Sequence, residues 1–96
     1  MNPENKKPAM NQKIFDMGLS VETVSVYLLC CGLADSETVI STKNLLGVWN
    51  STQEALIEGL ANLEEKHIII KIISDHEGNN VYKMADVKDW QLSYGL

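Results

Sequence analysis

The sequence contains no arginine, and its eight basic residues, all lysines, face thirteen acidic residues, which gives a formal net charge of −5. Proteins that bind nucleic acid usually carry the opposite balance, because lysine neutralises phosphate and arginine pairs with guanine in the major groove. The composition therefore weighs against a protein that depends mainly on DNA or RNA contacts.

Cysteine is also scarce, since only Cys30 and Cys31 occur, side by side in an apolar helical pattern. Adjacent thiols cannot staple distant parts of a chain, which excludes a disulfide scaffold of the secreted kind. A free cysteine packs as a small hydrophobic residue, and we interpret both thiols as part of the core. We expect a cytoplasmic location.

Long apolar runs are absent, because the longest, residues 26–31 and 68–70, fall far short of the roughly 20 residues that span a bilayer. Residues 1–12 carry Lys6 and Lys7 without an apolar segment behind them, which excludes a signal peptide. A chain of 96 residues fits one domain. We therefore predict a soluble protein without a membrane partner, with a flexible tail over residues 1–13 and one folded domain over residues 14–96.

Residues suited to catalysis or metal binding are few. His67 and His76 stand nine positions apart, and neither has a cysteine or a pair of acids at ligand spacing. The sequence has no nucleophile elbow and no glycine-rich phosphate loop. We predict no catalytic residue, no metal, no cofactor and no enzymatic activity.

The first predicted helix covers residues 21–33, with Ser20 as its N-cap and Glu22 in its first turn. This helix is apolar on two sides, whereas a helix on the surface of a small monomer needs one apolar stripe. The first stripe consists of Val21, Val24, Tyr27, Leu28 and Cys31, and the second of Val26, Leu29, Cys30 and Leu33. Either the N-terminal segment or another protomer would cover the second stripe.

A helix-turn-helix pattern follows. Ser41 caps a short helix over residues 42–46, and Ser51 with Glu54 matches a capping box that begins a third helix over residues 52–66. The predicted inner face of that third helix consists of Leu56, Gly59, Leu60, Leu63 and His67. A short helix, a tight turn and a longer capped helix are typical of the helix-turn-helix motif.

A β-hairpin completes the predicted fold. Residues 68–74 are rich in isoleucine, residues 75–80 form a turn cluster, and residues 81–84 return as a second strand. Residues 38–40 favour a short strand, and residues 86–96 a strap that returns across the body with Trp90 as its anchor. We predict a mainly α fold with a small antiparallel β-hairpin, a winged helix-turn-helix with a three-helix core plus a wing.

Three phrases carry a resemblance to a known family: residues 18–22 at the start of an apolar helix, residues 51–69 ending in Leu-Glu-Glu-Lys-His-Ile-Ile, and residues 82–84 before Trp90. Together they resemble the winged-helix domain at the N-terminus of DnaD-type and phage replisome-organiser proteins. The resemblance spans about residues 14–92 and implies a role in replication or transcription, with self-association as well as DNA contact. The second domain of such proteins has no counterpart in this sequence.

The third helix would enter the major groove if this fold bound DNA. Its predicted outward face contains Glu54, Glu58, Asn62 and Glu65, with Ala61 beside them. Residues 51–66 contain four glutamates and a single lysine, so DNA phosphates would meet like charge. The candidate DNA contacts are Ser51, Thr52, Gln53, Asn62, Lys6, Lys7 and Lys13.

Three functions remain open from the sequence. The favoured hypothesis is a non-catalytic winged-helix module of DNA-associated machinery that acts through self-association, as a homo-oligomer such as a dimer, or through a protein partner with a basic surface. The first alternative is a sequence-specific transcriptional regulator, and the second is an interaction protein unrelated to nucleic acid. The candidate residues for self-association are Val26, Leu29, Cys30, Leu33 and Trp90.

Overall fold

A computed structural model describes residues 8–91 of the chain. Three helices, α1 (Val21–Asp35), α2 (Thr42–Val48) and α3 (Gln53–Glu65), pack with three short strands, β1 (Ile40–Ser41), β2 (Ile69–Ile73) and β3 (Val81–Met84). Short 3₁₀ turns, Gln12–Asp16 and Val87–Asp89, lie before and after these elements. The fold is thus mixed, and the predicted order of three helices and a β-ribbon is confirmed.

The described strands form one antiparallel sheet in the order β1-β3-β2. The predicted hairpin of β2 and β3 is present. The prediction was incomplete, because β1 adds a third strand to the sheet, with Ile40 opposite Tyr82. The Thr42 backbone N–H donates to the Asn80 carbonyl at 2.9 Å and continues this pairing into the start of α2. The sheet therefore ties the start of α2 to the start of β3.

The turn between β2 and β3 is organised by one carboxylate. Asp75 Oδ1 accepts hydrogen bonds from the backbone N–H groups of Glu77 (2.9 Å) and Asn79 (2.8 Å), an arrangement typical of aspartate in turns. Gly78 has a φ of +84°, in the region that glycine adopts without strain. The carboxylate thereby fixes the conformation of the turn.

Helix α1 begins as predicted, since the Ser20 side chain accepts from the Thr23 backbone N–H at 3.1 Å. Each of its apolar stripes is covered only in part within the described chain, since Val21 and Leu28 of the first stripe are exposed and Leu29 and Leu33 of the second are half-buried. Val26 and Cys30 are fully buried in the core that α3 helps to form, while Tyr27 packs beneath the N-terminal segment. Two-sided burial explains why this helix lacks a single apolar face.

The N-terminal segment is bound to α1 in the part that the structure describes. The Ala9 N–H donates to Asp35 Oδ1 at 2.8 Å, and the Asn11 N–H donates to the Tyr27 hydroxyl at 2.8 Å. Ile14 is fully buried. Residues 8–13 of the predicted flexible tail therefore belong to the ordered fold, and Lys6 and Lys7 lie outside the described residues.

Helices α1 and α3 approach closely at Gly59. A β-carbon built at this glycine would lie 2.8 Å from Val26 Cγ2, closer than carbon atoms can approach without displacement. The absence of a side chain at Gly59 thus lets Val26 fill the space between the two helices. This contact fixes the position of α3.

The predicted capping box at the start of α3 is wrong by one residue. Thr52, not Ser51, is the N-cap: it has an extended backbone, and its side chain accepts from the Ala55 N–H at 3.1 Å. The Trp49 indole N–H donates to the Thr52 carbonyl at 2.7 Å and thereby holds Thr52 at the N-cap position. Glu54 therefore stands in the first turn, where a carboxylate complements the positive helix end.

The C-terminal strap returns to the core as predicted. The Trp90 ring meets Tyr27 edge-on, with 5.7 Å between ring centroids and an interplanar angle of 85°. The Gln91 N–H donates to the Lys66 carbonyl at 2.7 Å. The remainder of the predicted strap, residues 92–96, lies outside the described residues.

Candidate functional site

Helix α3 presents one side to the core and the other to solvent. Leu56, Gly59, Leu60 and Leu63 are buried, at the spacing expected of an inner helix face. His67, which was predicted on the same face, lies beyond the end of α3 and is exposed, because the chain leaves the helix there with a positive φ of 61°. The opposite side, called here the α3 outer face, consists of five exposed residues: Glu54, Ile57, Glu58, Ala61 and Glu65. The segment Gln53–Glu65 contains no lysine, so the outer face combines negative charge with an exposed aliphatic side chain.

A groove lies between α3 and the β2–β3 ribbon, beside the outer face. It encloses about 270 Å³ and is lined on the helix side by Ile57, Leu60 and Ala61, and on the ribbon side by Lys71, Tyr82 and other residues. Ile57 is 50% exposed and lies next to the exposed Ala61 on the helix side of the groove. The groove and the outer face thus form one continuous, partly apolar surface.

The charges at the edge of the groove are paired. Lys71 Nζ lies 3.9 Å from Glu64 Oε1, with both side chains more than a third exposed. A surface pair of this kind contributes at most about 1 kcal/mol, but it neutralises the one lysine that lines the groove. The unpaired glutamates of the outer face therefore set the sign of its potential.

An unpartnered hydrogen-bond acceptor also lines the groove. Asn80 Oδ1 is buried and has no hydrogen-bond partner within the described part of the chain, while Asn80 Nδ2 donates to the Tyr82 hydroxyl at 3.3 Å. A buried acceptor without a partner costs on the order of 1–3 kcal/mol. Because the oxygen itself is buried, the folded chain carries this cost within its own packing.

The predicted DNA contacts are only partly brought together. Ser51, Thr52 and Gln53 lie exposed at the N-terminus of α3, but the Thr52 hydroxyl is occupied by capping. Asn62 is misassigned by the projection of the outer face: it is half-buried, and its Nδ2 donates to Thr23 Oγ1 at 3.1 Å. The Asn62 amide nitrogen therefore joins α3 to α1, while the residue lines a groove of about 370 Å³ together with Glu22 and Glu58.

Lysines in the described region do not form a basic surface around α3. Lys13 lies exposed on the 3₁₀ turn Gln12–Asp16, before α1. Lys43 lines a second groove, of about 420 Å³, together with Gln53, but Asp75 and Glu77 line the same groove. The two carboxylates thus offset the positive charge of Lys43 in this groove.

The residues proposed for self-association divide into two groups. Val26 and Cys30 are completely buried and Trp90 is only 8% exposed, so the folded chain offers these three side chains to no second copy. Leu29 and Leu33 are half-buried against the same core and keep part of their surface exposed. Self-association through α1 would therefore use Leu29 and Leu33 alone among the five.

The adjacent cysteines are core residues, as their pattern predicts. Burial raises the pKa of Cys30 from the ordinary 9.0 to about 12, and burial also raises the pKa of Cys31, to about 11, against the opposing effect of a hydrogen bond with Tyr27. Both thiols are therefore protonated at neutral pH. Burial and the protonated form both disfavour a nucleophilic role, because the thiolate is the reactive form.

These thiols give a testable pH dependence. Between about pH 9 and pH 10 they ionise in the unfolded chain but stay protonated in the folded chain, so the unfolded state binds fewer protons and the free energy of unfolding falls, by roughly 2 kcal/mol. Urea denaturation at several pH values measures this loss. The variant Cys30→Ala/Cys31→Ala should lose less stability over the same interval, and an equal loss would contradict the assignment.

The exposed isoleucines of the ribbon were not identified from the sequence as a surface. Ile70, Ile72 and Ile73 are 41%, 55% and 57% exposed, and a β-bulge lies between Lys71 and Ile73. The signal was available: five isoleucines within residues 68–73 leave both faces of the strand apolar, whereas a ribbon on a small core has only one face covered.

Within residues 8–91 no group of three or more histidine, cysteine, aspartate or glutamate side chains is placed to hold a metal ion. No helix in the same range is both long and apolar enough to cross a membrane. No known protein family, curated protein sequence or solved structure matches the chain. The function must therefore be inferred from the surfaces described above.

Proposed function

We propose that this chain is a non-catalytic winged-helix module of replication or transcription machinery that acts by binding protein, either a second copy or another partner, and not by reading DNA. The order α1, β1, α2, α3, β2, β3, with the sheet order β1-β3-β2, supports a winged helix. In that fold α3 would be the helix that enters the major groove.

The α3 outer face is the observation that carries the proposal. Its charged residues, Glu54, Glu58 and Glu65, are all acidic, and Ile57 stands exposed among them. DNA binding gains most of its affinity from counterion release on phosphate neutralisation, which acidic residues oppose. An acidic face with an exposed aliphatic residue suits a protein partner better, since interfaces combine apolar contact with complementary charge.

Charge reversal tests this proposal. In fluorescence anisotropy at low salt the unmodified protein should bind duplex DNA only weakly, and the variant Glu54→Lys/Glu58→Lys should bind it roughly tenfold or more tightly, because each added lysine neutralises phosphate. Sedimentation velocity at micromolar concentration then reports whether the protein partner is a second copy. Tight, salt-dependent DNA binding by the unmodified protein would refute the proposal.

A DNA-binding regulator is the second candidate, favoured by one observation. Gln53 is exposed at the N-terminus of α3 and lines the same groove as Lys43, so an adenine-reading amide and a phosphate-binding cation lie close together. Under this alternative, Gln53→Ala would reduce discrimination between DNA sequences. Lys43→Gln would weaken binding to all sequences alike.

A further inference from the structure

The α3 outer face has an internal order that goes beyond its net charge. Projected at about 100° per residue, Ile57 and Ala61 form an apolar seam on the side of the ribbon. The carboxylates of Glu54, Glu58 and Glu65 follow on the side of α1. An aliphatic seam with acids along one border is the complement of a surface that carries aliphatic side chains next to lysine or arginine.

The groove beside this seam has the size of a side-chain pocket. Its volume, about 270 Å³, is below the roughly 300 Å³ at which ligand pockets begin, and it is open to solvent along α3. Leu60 and Tyr82 line the groove together with Ile57 and Ala61. Aliphatic side chains from a partner would find apolar contact there.

The spacing of the seam favours a helix as the occupant. Ile57 and Ala61 are four residues apart, one turn of α3, and the small Ala61 lets a second helix approach closely. Helices that bind in this way place aliphatic anchors at i, i+3, i+4 and i+7 into a groove. Because the outer-face acids are exposed, they would increase the association rate and the selectivity more than the affinity.

We propose that the α3 outer face and the adjoining groove bind a basic amphipathic helix of a partner protein, with its aliphatic residues on Ile57 and Ala61 and its lysine or arginine residues against Glu54 and Glu58. This inference rests on the proposed function, because it names the partner that the module binds. The complementarity of charge selects this occupant over an acidic segment and over DNA.

Peptide titration tests the inference. The probe is a synthetic leucine–lysine peptide of about 18 residues with helical spacing, long enough to form a helix, and its matched control carries glutamate in place of every lysine. In ¹⁵N-resolved spectra of the whole chain, the lysine peptide should shift the signals of Ile57, Ala61, Lys71 and Tyr82, and the glutamate peptide should shift none of them. Duplex DNA forms a third arm of the same titration.

Two variants separate a defined site from general attraction between opposite charges. Glu54→Gln/Glu58→Gln should weaken binding of the lysine peptide roughly tenfold, whereas Asp16→Asn/Asp89→Asn, which removes the same charge elsewhere, should change it less than about twofold. Ala61→Gln keeps the net charge but adds bulk to the exposed seam, and should also weaken binding roughly tenfold.

The outcomes distinguish the inference from the proposed function. Shifts spread over all acidic surfaces, equal effects of the two charge-removing variants, or no peptide binding would overturn the basic-helix inference. Binding of the glutamate peptide at the seam would overturn it as well, while leaving a protein-binding function in place. Salt-dependent binding of DNA on the same signals would overturn both.

Discussion

Replacing Ile14 by alanine is expected to lower the free energy of unfolding by about 2–4 kcal/mol, as deletion of a fully buried aliphatic side chain usually does. The size of the effect follows from where the N-terminal segment lies. Ile14 belongs to the same core cluster as Tyr27 and Trp90, so truncation of its side chain leaves a cavity between the N-terminal segment and α1. Such a loss is a large part of the stability of a small domain.

The adjacent residue provides the control. Phe15 is 57% exposed, and Phe15→Ala should change the free energy of unfolding by less than about 1 kcal/mol, even though it removes the larger side chain. Urea denaturation followed by circular dichroism measures both variants. If Ile14→Ala proved as mild as Phe15→Ala, the N-terminal segment would not cover α1.

The elements that the sequence predicted well are those with strong local signals. Helix α1 begins after Ser20 as its capping pattern indicates, and the turn around Asp75 follows from ordinary turn chemistry. The acidic outer face of α3 was predicted from periodicity alone, and Glu54, Glu58 and Glu65 are indeed exposed. Local propensity and hydrophobic period determine these features without reference to distant contacts.

The features that escaped prediction depend on distant partners. Asn62 was assigned to the outward face by its angle on the helix, but a hydrogen bond to Thr23, 39 positions earlier, draws it to α1. The segment 8–13 looks like a loose tail until its bonds to Tyr27 and Asp35 are known. A short strand was predicted over residues 38–40, but its place at Ile40–Ser41 and its pairing with β3, in which Ile40 lies opposite Tyr82, depend on a distant partner.

The candidate site lies between these two classes. Its acids and Ile57 could be placed on α3 from the sequence, but the groove beside them forms only when the ribbon folds back toward the helix. The buried acceptor Asn80 Oδ1 follows from that packing too. Sequence periodicity thus predicts what a face carries, and tertiary packing determines whether a groove lies next to it.

Gly59→Val is the second substitution expected to have a large effect, a loss of about 3 kcal/mol in the free energy of unfolding from overpacking. The β-carbon alone would meet Val26 Cγ2 at 2.8 Å and Val26 Cβ at 3.3 Å, and the backbone at Thr23 Cα would lie 3.6 Å away. The methyl groups of valine would force α1 and α3 apart, because the core around them is already close-packed.

A matched substitution separates this steric effect from helix propensity. Gly32 lies within α1 with nothing within 4 Å of its β-position, so Gly32→Val should be neutral or stabilising by less than about 0.5 kcal/mol. Val26→Ala in the background of Gly59→Val should restore part of the lost stability, since it removes the methyl groups that clash. Thermal and urea denaturation of the three variants measure these differences. Unchanged stability of Gly59→Val would show that the two helices do not meet at Gly59.

The approach of α1 to α3 also sets where the outer face and its groove lie. Gly59→Val should therefore weaken binding of the leucine–lysine peptide as well.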